Sequence, residues 1–314
     1  MRPVFLRKPR RTHPLLTCAA CPALLLLAPG IRSQTQPPPP ADTTALIRQA
    51  VANRFAENST HHPLRFVLHK QDDRHNITQQ IIETPQGDVA LLIAVNGIPI
   101  SAAGRAAERN RLAVLDAHPE IQAHRQKREQ ADSSRVDSLL RMLPDAFLYT
   151  YQDTVPCYVG TPPALPIPGP PQPAQSAPQP ETHCFHLTFQ PNPHWDPPSL
   201  EAKILRGMAG EIWIQAADDR LYKLSARLID DVDFGWGIVG RLDKGGTIDL
   251  EQTRIAEHDW ELTRMKLSLT GKALMVKPLS YHINEELSHF APAPPATDYH
   301  QAIRILEASQ PGAK

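Results

Sequence analysis

The chain has 314 residues, with 33 Lys plus Arg balanced by 33 Asp plus Glu and with 33 prolines, a length that supports one large or two small domains with a true core. The balance hides an asymmetry: residues 1–33 hold six cations (Arg2, Arg7, Lys8, Arg10, Arg11, Arg32) and no acid, leaving 27 basic against 33 acidic residues in the rest. A mildly acidic body excludes phosphate-backbone binding, which needs a basic face, so no nucleic-acid partner is expected.

The first element, residues 1–33, reads as a secretory signal peptide. A basic stretch precedes an apolar run over residues 15–28, broken by small residues and closed by Pro29-Gly30. That run is short for a membrane-spanning helix, and its basic flank fits a cleaved leader. Cleavage is expected between Gly30 and Ser33, leaving no integral membrane segment and placing the protein in the periplasm or outside the cell. Cys18 and Cys21 leave with the leader. The remaining pair, Cys157 and Cys184, is expected to form a disulfide, the alternative being two buried free thiols.

Residues 34–42 form a proline-rich tether containing Pro37 to Pro40, too polar to fold by itself. Over 43–57 the spacing of Leu46, Ala50, Val51 and Phe55 predicts a helix, with Asp42 as its N-cap. Strand-like runs follow at 63–70, 76–83 and 89–95, separated by turn chemistry such as Pro85-Gln86-Gly87-Asp88. Residues 101–143 are a charged helical insertion that Ser101 can cap. His118-Pro119 divides it in two, because the residue before proline avoids the helical region. The stretch 122–132 is polar enough to predict a solvated face.

Strands are expected again at 147–155 and 182–190, on either side of a proline-rich loop over 161–181. A second proline-rich connection, 191–198, leads to a short helix at 199–206. Six further strand candidates occupy 211–216, 221–229, 236–242, 247–254, 260–269 and 273–277. Their short connections predict an antiparallel meander. Residues 281–290 fit a solvated helix, and 298–308 a final helix with Tyr299, Ile303 and Leu306 on one side.

The strand faces carry the strongest expectation. Tyr222, Leu224, Ala226 and Leu228 share one side, while Lys223, Ser225 and Arg227 share the other; Ile248 and Leu250 stand against Asp249 and Glu251 in the same way. One face is therefore apolar and the other wet. Trp213 breaks this rule by lying opposite Ile212 and Ile214. The fold class is α+β: a strongly twisted antiparallel sheet or open half-barrel covered by helices, with a helical insertion, in one domain over 43–314.

The run Gly210-Glu211-Ile212-Trp213-Ile214-Gln215, leading to Arg220-Leu221-Tyr222-Lys223-Leu224, resembles the hairpin of periplasmic lipoprotein-sorting proteins, with Gln215 where an acid is common. The blocks Val95-Asn96-Gly97-Ile98-Pro99, Leu143-Pro144-Asp145-Ala146-Phe147 and Asp233-Phe234-Gly235-Trp236-Gly237 resemble an uncharacterised family of secreted bacterial proteins of acidobacterial type. That family implies no function. The sorting-protein resemblance implies a hydrophobic concavity for a lipid or a lipoprotein acyl chain, bound by apolar burial at roughly 25 cal/mol per Å². Trp213, Phe234, Trp236 and Met265 are the candidates for its lining, set against a place in the ordinary core. The alternative function is a non-catalytic envelope scaffold whose cavity is filled by its own side chains.

Other chemistry is weak. His183 and His186 fall on opposite faces of a strand. His282, Glu285, Glu286 and His289 lack the spacing that puts two imidazoles on one helical turn. No nucleophile elbow, P-loop or dinucleotide fingerprint occurs. No enzymatic activity, cofactor or metal site is expected.

Overall fold

The structure is a computed structural model that describes residues 36–58, 62–158, 182–234, 240–256, 259–274 and 277–310. The expected leader, the 161–181 loop and Trp236 lie outside the described residues.

Helix α1 (Thr43–Asn58) opens the fold. Strands β1 (Leu64–Asp72), β2 (Asn76–Ile82), β3 (Val89–Val95) and β4 (Ile98–Pro99) then form a first meander. Helices α2 (Ala102–Ala117) and α3 (Pro119–Ala146) lead to β5 (Phe147–Cys157) and β6 (Thr182–Pro191). After the single turn α4 (Lys203–Arg206) come β7 (Met208–Gln215), β8 (Arg220–Leu228), β9 (Val232–Phe234) and β10 (Gly240–Leu242). The chain continues through β11 (Thr247–Arg254), β12 (Trp260–Ala273) and β13 (Lys277–Pro292) to α5 (Tyr299–Ala308). All pairings are antiparallel, and β1 pairs with β13, so the two meanders fuse into one open sheet ordered β4-β3-β2-β1-β13-β12-β11-β8-β7-β6-β5. The β9–β10 hairpin attaches to the far end of β12.

Local chemistry sets the helix boundaries. The Asp42 carboxylate accepts the Ala45 amide at 3.0 Å, Ser101 Oγ accepts that of Gly104 at 3.1 Å, and Asp298 with Gln301 closes a capping box on α5. Pro119 ends α2 as expected: His118 leaves the helical region at φ −126° and serves as the N-cap position of α3.

Two cores hold the sheet, one on each face. The first packs Leu187, Ile212, Leu224, Ala226 and Leu228 against Leu46, Ile47 and Ala50 of α1 and Leu143 and Ala146 of α3. The second packs Ile82, Val89 and Leu91 against Leu112 and Leu115 of α2 and Tyr299, Ile303 and Leu306 of α5. Their opposite placement follows from register. Thr78, His69, Glu286, Arg264, Glu251 and Lys223 are successive cross-strand partners and so share a face. Ile82 lies on that face by alternation from Thr78, whereas Leu224 lies opposite Lys223. Each fully buried Leu or Ile contributes about 1.5–3 kcal/mol.

Side chains occupy backbone groups on both sides of the sheet, at the stretch of β3 beyond the two-residue β4 and along β5. Glu108 of α2, 7% exposed, accepts the Leu92 amide of β3 at 2.8 Å and two guanidinium bonds from Arg111 at 2.9 and 2.7 Å. Arg111 in turn donates to the Ala90 carbonyl. The pair thus supplies β3 with the acceptor and donor that a neighbouring strand would offer. At the other edge, Gln36 and Thr43 side chains donate to the Thr154 and Tyr149 carbonyls of β5.

Three expectations change. Residues 281–290 belong to β13, not to a helix, because this segment pairs along its length with β12 and β1. Residues 273–277 are not a strand: β12 ends at Ala273, Leu274 turns at φ 50°, and β13 begins at Lys277. The polar stretch 122–132 is exposed over most of its length, but Gln122 is buried at 1% exposure and donates to the Gln86 carbonyl of the β2–β3 turn.

Candidate functional site

Among the described residues no helix packs substantially on β1, β11, β12 or β13, the middle of the sheet. Pleating and register therefore decide what each face of these strands offers. On the face of the first core, β12 presents Met265, Leu267 and Leu269, β13 presents Ile283 and Leu287, and β1 presents Phe66 and Leu68. All seven are half-buried. Of them only Leu269 packs against the first core, and the others belong to neither core. Phe290 extends the strip, its ring centroid 5.7 Å from that of Phe66.

A single ion pair interrupts this strip: Lys70 Nζ lies 2.7 Å from Glu285 Oε1, with Met265 and Ile77 as their outer cross-strand neighbours. Desolvation discounts most of what such a pair contributes to stability.

The reverse face of the same strands is mostly polar, with the buried Val67 of β1 as an apolar exception. One row runs Thr78, His69, Glu286, Arg264, Glu251, Lys223, Trp213, His186, Asp153 across nine strands. Arg264 Nη1 lies 3.2 Å from Glu251 and its Nε 3.9 Å from Glu286, so charges alternate along the row.

The predicted lining residues separate on this frame. Met265 lies on the apolar strip. Phe234 packs against the first core and is ordinary core. Trp236 is outside the described residues. Trp213 sits on the polar face, and both of its ring faces are taken. The His186 imidazole stacks on one (centroids 4.7 Å apart, planes 4° apart), and Lys223 Nζ lies 4.8 Å from the ring centroid. Trp213 is therefore no partner of Met265 and no open stacking platform. It is held there by the cation and the imidazole, which resolves the break in alternation.

The cysteines are joined: Cys157 and Cys184 form a disulfide tying the end of β5 to the start of β6. An oxidised Cys184 is no metal ligand. His186 Nδ1 instead meets Asp153 at 2.9 Å, and its Nε2 is 3.4 Å from Glu211 without hydrogen-bonding geometry. The group His282, Glu285, Glu286 and His289 is split by the pleat of β13, with Glu285 on the apolar face and His282 and Glu286 on the polar one. Among the described residues no cluster of three or more His, Cys, Asp or Glu side chains is arranged to hold a metal ion.

Sequence reasoning did not single out Leu267, Ile283, Leu287 or the Lys70–Glu285 pair. The alternation of 260–269 contained the signal for Leu267; the β13 residues were hidden by the helical reading. No family model matches the chain, and no curated protein or solved structure matches it.

Proposed function

We propose that this protein is an exported carrier or binder of an apolar ligand in the cell envelope, a lipid or an acyl chain lying along the strip from Met265 and Leu267 through Ile283 and Leu287 to Leu68 and Phe66. One observation carries the reading: strands without helical cover are apolar on one face and charged on the other. A sheet with an apolar face lowers its free energy by covering it, and every square ångström of apolar area removed from water contributes about 25 cal/mol. In this reading the sheet curves around the strip as a half-barrel, and the Lys70–Glu285 pair gives the ligand's polar end a place to stop.

Two facts are compatible with export. The Cys157–Cys184 disulfide suits an oxidising compartment, and no described helix is long and apolar enough to cross a membrane.

Native mass spectrometry of protein purified from an envelope fraction without detergent tests the proposal, together with titration of the delipidated protein by a fluorescent sixteen-carbon fatty acid. Co-purifying lipid and saturable uptake of the probe are expected. A ligand-free spectrum with no probe uptake overturns the carrier reading and leaves the scaffold in its place.

A further inference from the structure

Helix α5 does not seal the sheet it covers. Between it and strands β1 and β2 lies a cleft of about 230 Å³ with an aliphatic wall that includes Val67, Ile82, Ile305 and Leu306. For scale, an apolar cavity of about 150 Å³ takes up a benzene molecule. The cleft lies on the second-core side of the sheet, and Phe66, at the end of the apolar strip, is also among its lining residues.

Two nitrogen-bearing side chains give it chemical character. The first is Arg65, which lines the cleft and whose guanidinium has no hydrogen bond or ion pair among the described residues. The second is His289. Opposite β1, β13 carries one extra residue: Val67 pairs with Ser288 and Arg65 with Ala291, so His289 and Phe290 together face the single residue Phe66 in a bulge. His289 adopts φ 57°, a left-handed conformation uncommon for a side chain of this size. Such bulges re-aim side chains and persist only where the surroundings hold them. Here the bulge makes His289 part of the cleft, with its Nδ1 3.0 Å from Ser288 Oγ.

Charge selects the ligand class. Burial disfavours the charged form of the His289 imidazole, so Arg65 is the permanent positive charge of the cleft. One guanidinium fork matches one carboxylate, and a dianion would be left half-neutralised.

We infer that the cleft between α5 and the β1–β2 strands is a binding site for a small monocarboxylate with a compact apolar body of about benzoate size. The carboxylate pairs with Arg65, His289 offers its Nε2 to the same end, and the body rests against Ile305 and Leu306.

Isothermal titration of the full chain with benzoate, benzyl alcohol and inorganic phosphate tests this, with methyl-detected NMR to locate the site. Benzoate is expected to bind one to one and to shift the Ile305 and Leu306 methyl resonances. Benzyl alcohol and phosphate are expected to bind at least tenfold more weakly. Arg65→Gln alters an exposed side chain and keeps the fold, and it should weaken benzoate tenfold or more while leaving benzyl alcohol unchanged. Arg65→Lys should recover part of the loss. No benzoate binding, equal binding by Arg65→Gln, tighter binding of phosphate, or shifts confined to other methyl groups would each overturn the assignment.

Discussion

Replacing Glu108 tests whether α2 clips the edge of β3. Its carboxylate accepts one bond from the Leu92 amide and two from Arg111. In Glu108→Ala the Leu92 N–H loses its acceptor at a part-buried position, a cost of about 1–3 kcal/mol. Arg111, whose side chain is 42% exposed, regains water and adds little. The expected loss is about 2 kcal/mol for Ala and about half that for Gln, whose amide oxygen still serves Leu92. The pH dependence has a definite sign. Burial alone would raise the Glu108 pKa, but the Arg111 and Leu92 hydrogen bonds outweigh it and hold it below the ordinary 4.5. A depressed carboxylate pKa contributes stability above the unfolded value that fades as pH falls towards the folded one. The gap between wild type and Glu108→Ala should therefore narrow below about pH 4.5. Urea unfolding at neutral and acid pH measures the gap, and hydrogen exchange at Leu92 reports the bond directly. An unchanged midpoint at neutral pH, or a gap that stays constant on acidification, refutes the clip.

Four further outcomes are expected. The disulfide spans 27 residues of sequence, so reduction should raise the mass by two hydrogens and cost about 3.5 kcal/mol in urea unfolding by the loop-entropy relation; an unchanged midpoint after confirmed reduction counts against it. A Cβ at Gly210 would meet the Ser225 carbonyl oxygen at 2.1 Å and Ala226 Cα at 2.8 Å, so Gly210→Ala should force β7 from β8 and lower stability by about 2 kcal/mol, a loss that thermal unfolding would reveal. Ile283→Asp should reduce fatty-acid probe binding at least tenfold with an unaltered circular dichroism spectrum, whereas Lys266→Ala, on the reverse face, should leave binding intact; equal effects would separate the strip from binding. Asp298→Ala removes the capping box of α5 and should cost about 1 kcal/mol, seen as a lower Tm.

Much of the architecture was legible because local signals agreed with tertiary demand. Leu224, Ala226 and Leu228 alternate with polar residues and do lie on one buried face, and Pro119 does separate α2 from α3. β13 was misread for a physical reason. Its apolar residues Ile283 and Leu287 stand four apart with Glu285 between them, a spacing that suits one face of a helix as well as every second residue of a strand. Only the long-range pairing with β1 and β12 decides between them, and that pairing has no local signature. Glu108 was hidden differently: among so many charges on α2, nothing in its neighbourhood marks the one carboxylate that reaches an edge amide. The candidate site was half visible. Trp213 and Met265 are both candidate lining residues in the sequence, and the pleat that already sets Trp213 opposite Ile212 and Ile214 puts it on the other face of the sheet from Met265.

The β1–β13 pairing imposes a schedule on the chain. Leu64 and Pro292 are register partners, so the strand that fuses the two meanders is the last of the described strands to be made. Until it arrives, β1 and β12 each lack one neighbour, and long-range closure of this kind is slow. A stop codon anywhere before Lys277 would leave two unsealed rafts instead of a shortened protein, and a chaperone guarding this polypeptide would have to hold it until β13 is complete.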